Sequence, residues 1–325
     1  MKRNPIITTV AIGILAAASG ISSVAAEDGR IADQSFEVTL SEYSGKVWFV
    51  SYPPSDSMDV TLKIMQDGVT LETLDTYTPE VLDAYSFTSL DAVSFVDYNA
   101  DGNTDILVIK TFGDVTVPVI YEGTPDREQK FTLKSGLSIR AMQQAEEMTI
   151  AGVQAYLSSA SEEIGEPVSV LPDGIPANFV FSSGVGAWGT SLSLSQDGSF
   201  SGSYSDTDMT GGDGYVATQY YSNFSGCFDE FRKLSDHVYS MHISWLQLNE
   251  EPGTQEIRDD CLNIATDPYG VKENEEYYLY LPGSDTTEMP AVPQQGWTGV
   301  EYNGTQLTNW VLYNPADDTP FGGFD

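Results

Sequence analysis

Positive charge is what this chain has least of: 14 Lys and Arg stand against 48 Asp and Glu, a formal charge of −34 over 325 residues. A field of that sign repels nucleic acid and anionic lipid and attracts divalent cations, so no nucleic-acid partner is expected. Histidine is scarcer still, with two residues, and no HExxH, GxSxG or phosphate-binding glycine loop occurs. Nothing therefore supports a zinc protease, a Ser-His-Asp device or a nucleotide enzyme. No apolar run reaches the roughly 20 residues that a bilayer span needs. The stretch from Ile6 to about Ala18 is too short and is broken by Gly13, with Gly20 just beyond.

That stretch has another use. Lys2 and Arg3 precede it and Val24-Ala25-Ala26 follows it, just before Glu27, the pattern of a secretory signal peptide over 1–26. Cleavage after Ala26 takes away two cations and leaves 12 against 48 acids, a charge of −36. No cysteine stands near the cleavage point to take a lipid, so the expected product is exported, secreted and free of any membrane span. Cysteine is nearly absent as well. An exported chain whose cysteines are Cys227 and Cys261 alone invites a disulfide between them, and the alternative is two separate buried thiols.

The remaining composition is that of a packed protein, with 41% hydrophobic residues, enough to bury a core despite the acidity. The reading is mainly β, in two β-rich domains joined by one helix. Residues 27–135 form an N-terminal antiparallel sheet or sandwich, 136–177 a helix and linker, and 178–325 a C-terminal small barrel or sandwich. In the first domain Asp67-Gly68 marks a hairpin turn, with Ile64 expected opposite Leu71 and Lys63 opposite Glu72. Helix formers with apolar spacings of three and four run from Ile139 to Leu157, the one expected helix. In the second domain a three-residue loop, Gln196 to Gly198, is expected to pair Leu194 with Phe200 and Thr190 with Tyr204 while serine faces serine. From His237 to Leu246 alternation places Tyr239, Met241, Ile243 and Trp245 on one face and Ser240, His242 and Ser244 on the other. His237 and His242 then point to opposite faces and do not share a metal.

One stretch carries chemistry. In SFVDYNADGNTDILVIK, counting Asp97 as the first position, Asn99 is third, Asp101 fifth, Asn103 seventh through its backbone carbonyl and Asp105 ninth, with Gly102 at the sharpest point of the bend. Calcium takes six to eight hard oxygens, and alternate positions around a glycine turn supply them. The alternative is a polar turn whose Asp and Asn side chains cap their own backbone. The twelfth position is Val108 and both flanks are strand-like, so the loop is not an EF-hand. The string D-Y-N-A-D-G-N-T-D-I-L-V resembles the strand-loop-strand calcium loop of FG-GAP and VCBS repeats, here as a single copy. That resemblance implies a Ca2+ held by Asp97, Asn99, Asp101 and Asp105, with Asn103 lending its carbonyl.

From Asn178 onward, FVFSSGVGAWGTSLSLSQDGSFSGSYSDTDM, YYSNFSGCF, DHVYSMHISWLQL, TDPYG and YLYLPG are similar to a domain of exported proteins and lipoproteins of Gram-positive bacteria that has no assigned activity. It implies an envelope or extracellular role and supplies no catalytic residue. Asp206, Asp208 and Asp213 form a further acidic, glycine-rich loop that could hold a second cation. Tyr220, Tyr221, Tyr277, Tyr278 and Tyr280, with Trp188, Trp245, Trp297 and Trp310, either build a sugar-stacking platform or fill the core. The expected function is a non-enzymatic, calcium-binding module for an envelope or extracellular ligand, glycan or protein. The competing expectation is a secreted carbohydrate-active hydrolase using a carboxylate pair.

Overall fold

A computed structural model describes residues 29–55, 59–76, 85–159, 165–184, 187–212, 214–273, 275–289 and 299–325. The segment 1–26, expected to be a signal peptide, Asp213 and Trp297 lie outside the described residues. Among the described residues strands predominate and two α-helices occur, so the fold is mainly β. The chain divides into two compact units between residues 160 and 161.

The first unit is a sandwich. One four-stranded antiparallel sheet joins β1 (Phe36–Thr39), β2 (Lys46–Tyr52), β3 (Thr61–Gln66) and β4 (Val69–Thr73) in sequence order. The other joins β5 (Phe87–Val96), β6 (Asp105–Phe112), β7 (Val115–Gly123) and β8 (Phe131–Leu133) in the same way. Val47, Phe49, Leu62 and Ile64 of the first sheet share one core with Ile106, Val108, Val119 and Tyr121 of the second. Phe49 and Phe95 meet across it edge to face, ring centres 5.6 Å apart. Strand β6 shows no alternation because both its faces are covered. Leu107 and Ile109 pack with Ile120 against α1 (Ser135–Gln144) and α2 (Ile150–Ser159).

Two helices stand where the sequence predicted one. The chain leaves the helix at Ala145, whose ψ is 135°, and re-enters where Thr149 Oγ1 accepts the Gly152 N–H at 3.1 Å, a side-chain cap that starts α2. The break lets Leu137 and Ala141 of one helix and Val153 and Leu157 of the other land in the same cluster. The first hairpin has its predicted turn, with Asp67 and Gly68 at φ 51° and 79°. Its register differs, since a bulge at Leu71 sets Ile64 opposite Glu72 and Lys63 opposite Thr73. The bulge leaves Leu71 42% exposed and carries the Glu72 carboxylate inward. There it accepts from the Tyr43 hydroxyl and the backbone N–H groups of Lys130 and Phe131, donors that an exposed pair with Lys63 could not match.

The second unit begins with the short β9 (Glu166–Pro167) and is built on a closed barrel. Its wall is β10 (Asn178–Ser182), β11 (Trp188–Leu194), β12 (Ser199–Asp208), β13 (Ala217–Lys233) and β14 (Val238–Leu248), continuing after an excursion through β15 (Gln255–Arg258) and β16 (Cys261–Ala265). It resumes with β17 (Glu276–Tyr280), passes the small hairpin β18 (Tyr302–Asn303) and β19 (Gln306–Leu307), and ends with β20 (Val311–Asn314) and β21 (Thr319–Phe324). Strand β21 pairs with β10, so eight antiparallel strands close in sequence order. An eight-stranded barrel has room for side chains or one small ligand. Here Phe179, Leu192, Phe200, Phe224, Phe228 and Met241 belong to its interior core, and Phe200 and Phe228 lie 4.9 Å apart.

The hairpin at Gln196 to Gly198 has the predicted register, Leu194 with Phe200 and Thr190 with Tyr204, serine facing serine. Gly198 takes φ 86°, and a Cβ there would lie 2.2 Å from the Phe228 carbonyl oxygen. Strand β14 departs from its predicted faces. Cys227 pairs with Trp245 and Phe228 with Ile243, so Ser244 is an extra residue and alternation reverses beyond it. Leu246 and Leu248 turn to the interior and Trp245 is left 45% exposed. The other face of β14 is not open to solvent either. Ser240 and His242 are buried, and Val238 packs with Tyr278, Tyr280, Val311 and Tyr313 under Met289 and Leu307.

The disulfide does not form. Both thiols are free, and Cys261 of β16 lies beside Ala217, ten positions from Cys227 along β13. At roughly 3.3 Å per residue the two are about 30 Å apart, against a limit near 7 Å between Cα atoms.

Candidate functional site

The predicted calcium loop joins β5 to β6, and the pairing of Val96 with Asp105 closes its base. Both flanks are strands, as the spacing required. The bend is wound around its own side chains. Asp97 Oδ1 accepts the Asp101 N–H at 3.1 Å and Asp97 Oδ2 accepts the Gly102 N–H at 3.0 Å. Asn99 Oδ1 accepts the same Asp101 N–H at 3.1 Å, so Asp97 and Asn99 present oxygens to one nitrogen. Asp101 Oδ1 accepts from Asn103 N at 2.8 Å, and Asn99 Nδ2 donates to Asp101 Oδ2 at 3.2 Å. Gly102, at φ 90°, and Ala100, at φ 60°, make the bend left-handed.

Asp105 behaves differently. It is wholly buried, and its two oxygens accept Tyr98 N and Gly123 N, each at 2.9 Å. Burial pushes its carboxyl up to about 9, against those two hydrogen bonds, and the nearby charges of Glu122 and Asp101 push the same way. Asp97 and Asp101 are exposed, Asn99 and Asn103 half-buried. The five predicted residues thus occupy one bend, four around its rim and Asp105 at its base. Among the described residues no group of three or more His, Cys, Asp or Glu side chains converges tightly enough to enclose a metal.

The loop sits on acidic residues that the spacing did not reveal. Glu42 is buried, and its Oε1 accepts the Thr104 N–H at 2.7 Å and the Ser41 hydroxyl at 2.6 Å. Its Oε2 is buried with no hydrogen-bond partner. Glu122 is also buried, takes the Tyr98 hydroxyl at 2.8 Å and lies 3.9 Å from the Lys134 ammonium. Glu122 could have been suspected as a charge at the end of an apolar strand. Glu42, some 60 residues from the loop, carries no local signal.

The hydrogen bonds do not consume the donor set. Each carboxylate oxygen has two lone pairs and gives at most one to each of these N–H contacts, so Asp97, Asp101 and Asp105 retain acceptor capacity. Hard oxygens in this number fit calcium rather than a softer metal.

The other predicted residues scatter. Asp206 and Asp208 stand at alternate positions of β12, and Asp208 Oδ1 caps Thr210 N at 2.8 Å. His237 is exposed before β14, while His242 is wholly buried with Nδ1 3.7 Å from Asp229 Oδ1. Tyr277, Tyr278 and Tyr280 are core residues, Trp310 packs on the barrel interior, and Trp188 stacks into an aromatic group with Phe181 and Tyr269. A shallow depression of about 350 Å³ on the barrel wall is lined by Ser191, Ser193, Ser201, Ser203, Asn223 and Asn249 among others, and none of its lining residues is a carboxylate. No helix among the described residues is long and apolar enough to cross a membrane. No protein-family model, curated protein or solved structure matches the chain, so the functional reading rests on these residues and their chemistry.

Proposed function

We propose that this is an exported, non-enzymatic binding protein, in which calcium secures the first unit and the barrel of the second carries an envelope or extracellular ligand. The observation that carries the calcium reading is the charge beneath the loop. Asp105, Glu42 and Glu122 are buried together with one Glu42 oxygen unpartnered, and the loop adds Asp97 and Asp101 above them. The acids crowded around Asp105 help to hold a proton on it, and a divalent cation would take that proton's place and neutralise the neighbouring charges together. Asp97, Asn99, Asp101 and Asp105 would hold it with the Asn103 carbonyl, as the likeness to FG-GAP and VCBS loops also suggests. Bound calcium supplies charge neutralisation and a fixed bend between β5 and β6. The signal sequence and the acidity, which suits an ion-rich exterior, support export. The hydroxyl-lined depression and the filled barrel favour recognition over carboxylate-pair hydrolysis, which finds no acid pair there.

The test is a thermal melt of the mature chain in EDTA and in calcium. A ligand at a hundredfold its Kd stabilises by about 2.7 kcal/mol, a shift of several degrees. Asp97→Asn with Asp101→Asn should abolish that increment, while the melt in EDTA falls only modestly, since each Asn keeps one acceptor oxygen for the backbone of the bend and gives up the other at an exposed site. An increment that survives the double substitution would place the ion elsewhere.

A further inference from the structure

The alternation that fills the barrel continues toward one end of β11, β12 and β13, where the inward-facing residues become half-exposed. Beyond Leu192, Phe200 and Phe224 the same faces carry Trp188, Tyr204, Asp206 and Tyr220, with Trp188 paired to Asp206 and Asp206 to Tyr220. Phe181 of β10 lies against Trp188, ring centres 5.1 Å apart, and stacks on Tyr269 at 5.8 Å. Trp188 and Tyr269 stand 5.4 Å apart at 84°, two walls of a corner. Tyr269 is 48% exposed, and its backbone is pinned where its carbonyl accepts the buried Thr190 hydroxyl at 2.8 Å. The Asp206 carboxylate makes no hydrogen bond or ion pair among the described residues. It lies near enough to Tyr204 to raise that phenol, behind burial and together with Tyr269, so the carboxylate and the two rings are neighbours.

Rings left open at a barrel mouth with an unpaired carboxylate between them have a definite preference. An anion is repelled by Asp206 and by the net charge. A metal ion finds Asp206 and, two residues on along the same face of β12, an exposed Asp208 whose Oδ1 already accepts the Thr210 N–H, fewer oxygens than it needs. A weakly hydrated organic cation gains the negative faces of the rings and the carboxylate together. We infer that the rim formed by Phe181, Trp188, Tyr204, Asp206, Tyr220 and Tyr269 binds a trimethylammonium-type organic cation. This rests on the reading of the barrel as a binding module and names its ligand class.

Choline, phosphocholine and the neutral isostere 3,3-dimethylbutanol, titrated against the mature protein by calorimetry and tryptophan fluorescence, provide the test. Choline should bind with a Kd on the order of 1 mM, and the isostere about tenfold more weakly. Tighter binding of phosphocholine than of choline would identify a headgroup as the source, and the reverse a free cation. Asp206→Asn should weaken choline about tenfold without affecting the isostere, and Tyr269→Ala should weaken both. Asp206 carries no core contact, so Asp206→Asn should melt with the parent, whereas Tyr269→Ala forfeits its ring contacts with Phe181 and Trp188 and is titrated well below its own, lower melting temperature, where it is folded. No choline binding below about 50 mM, equal binding of the isostere, or an indifferent Asp206→Asn would each overturn the inference. If choline fails while a thermal-shift screen finds another ligand abolished by barrel substitutions, the binding-module reading survives and the ammonium site does not.

Discussion

Asp105 is the residue on which the loop chemistry turns, and its position makes a pH experiment decisive. Held near 9 by burial, it keeps a proton in the folded state that the unfolded chain loses near 4. Stability therefore falls as pH rises between those values and levels off above the upper one. The slope is at most about 1.4 kcal/mol per pH unit. The ordinary carboxylates finish titrating well below pH 7, and the histidines, the two thiols and the α-amine that titrate nearby are common to parent and Asp105→Asn, so the difference between their melts in EDTA from pH 7 to 9 isolates this residue. The expected result is a falling melting temperature that calcium flattens and Asp105→Asn removes. A second buried charge tests a different rule. Lys110 of β6 is buried against Asp59, and burial pulls its ammonium down while Asp59 holds it up. Lys110→Met should cost roughly 3–5 kcal/mol by stranding Asp59, and Asp59→Leu added to it should recover much of that in denaturant melts.

Among the elements, hairpins were the most legible and bulges the least. The serine-rich hairpin of β11 and β12 could be registered from its alternation because a slip by one residue would bury its serines. Its turn also depends on one glycine. Gly198→Ala combines a left-handed φ with a Cβ only 2.2 Å from the Phe228 carbonyl, and a loss of at least about 1 kcal/mol is expected in chemical unfolding. Strand β14 was misread for the opposite reason. Nothing in Met241-His-Ile-Ser-Trp-Leu246 announces the extra residue at Ser244, whose hydroxyl donates to the Cys227 carbonyl of the neighbouring strand at 2.9 Å. The helical stretch likewise read as continuous, because the composition between Gln144 and Ile150 still favours a helix and only the sheet face beneath required a break. Thr149, a side-chain cap, was the available signal.

For the whole molecule, charge and thiols give the clearest expectations. Self-repulsion of a chain at −34 should make the melting temperature rise with sodium chloride, and calcium should reach a similar rise at far lower concentration. Two thiols should titrate after denaturation without reductant, and reductant should leave the melt unchanged. Fewer than two, in a monomer, would contradict the separation of Cys227 from Cys261 along β13.

Composition and local spacing by themselves determined the β-rich class, the turn at Asp67-Gly68, the serine hairpin and the strand-loop-strand setting of Asp97 to Asp105. Each of these depends on neighbours a few residues apart. Closure of β21 on β10, the burial of Glu42 and Glu122 beneath the loop, the separation of the two cysteines and the gathering of Tyr269 with Trp188 and Asp206 were decided only in three dimensions. They join residues tens to more than a hundred positions apart, and what selects such pairings is the packing of whole sheets, which no local pattern encodes.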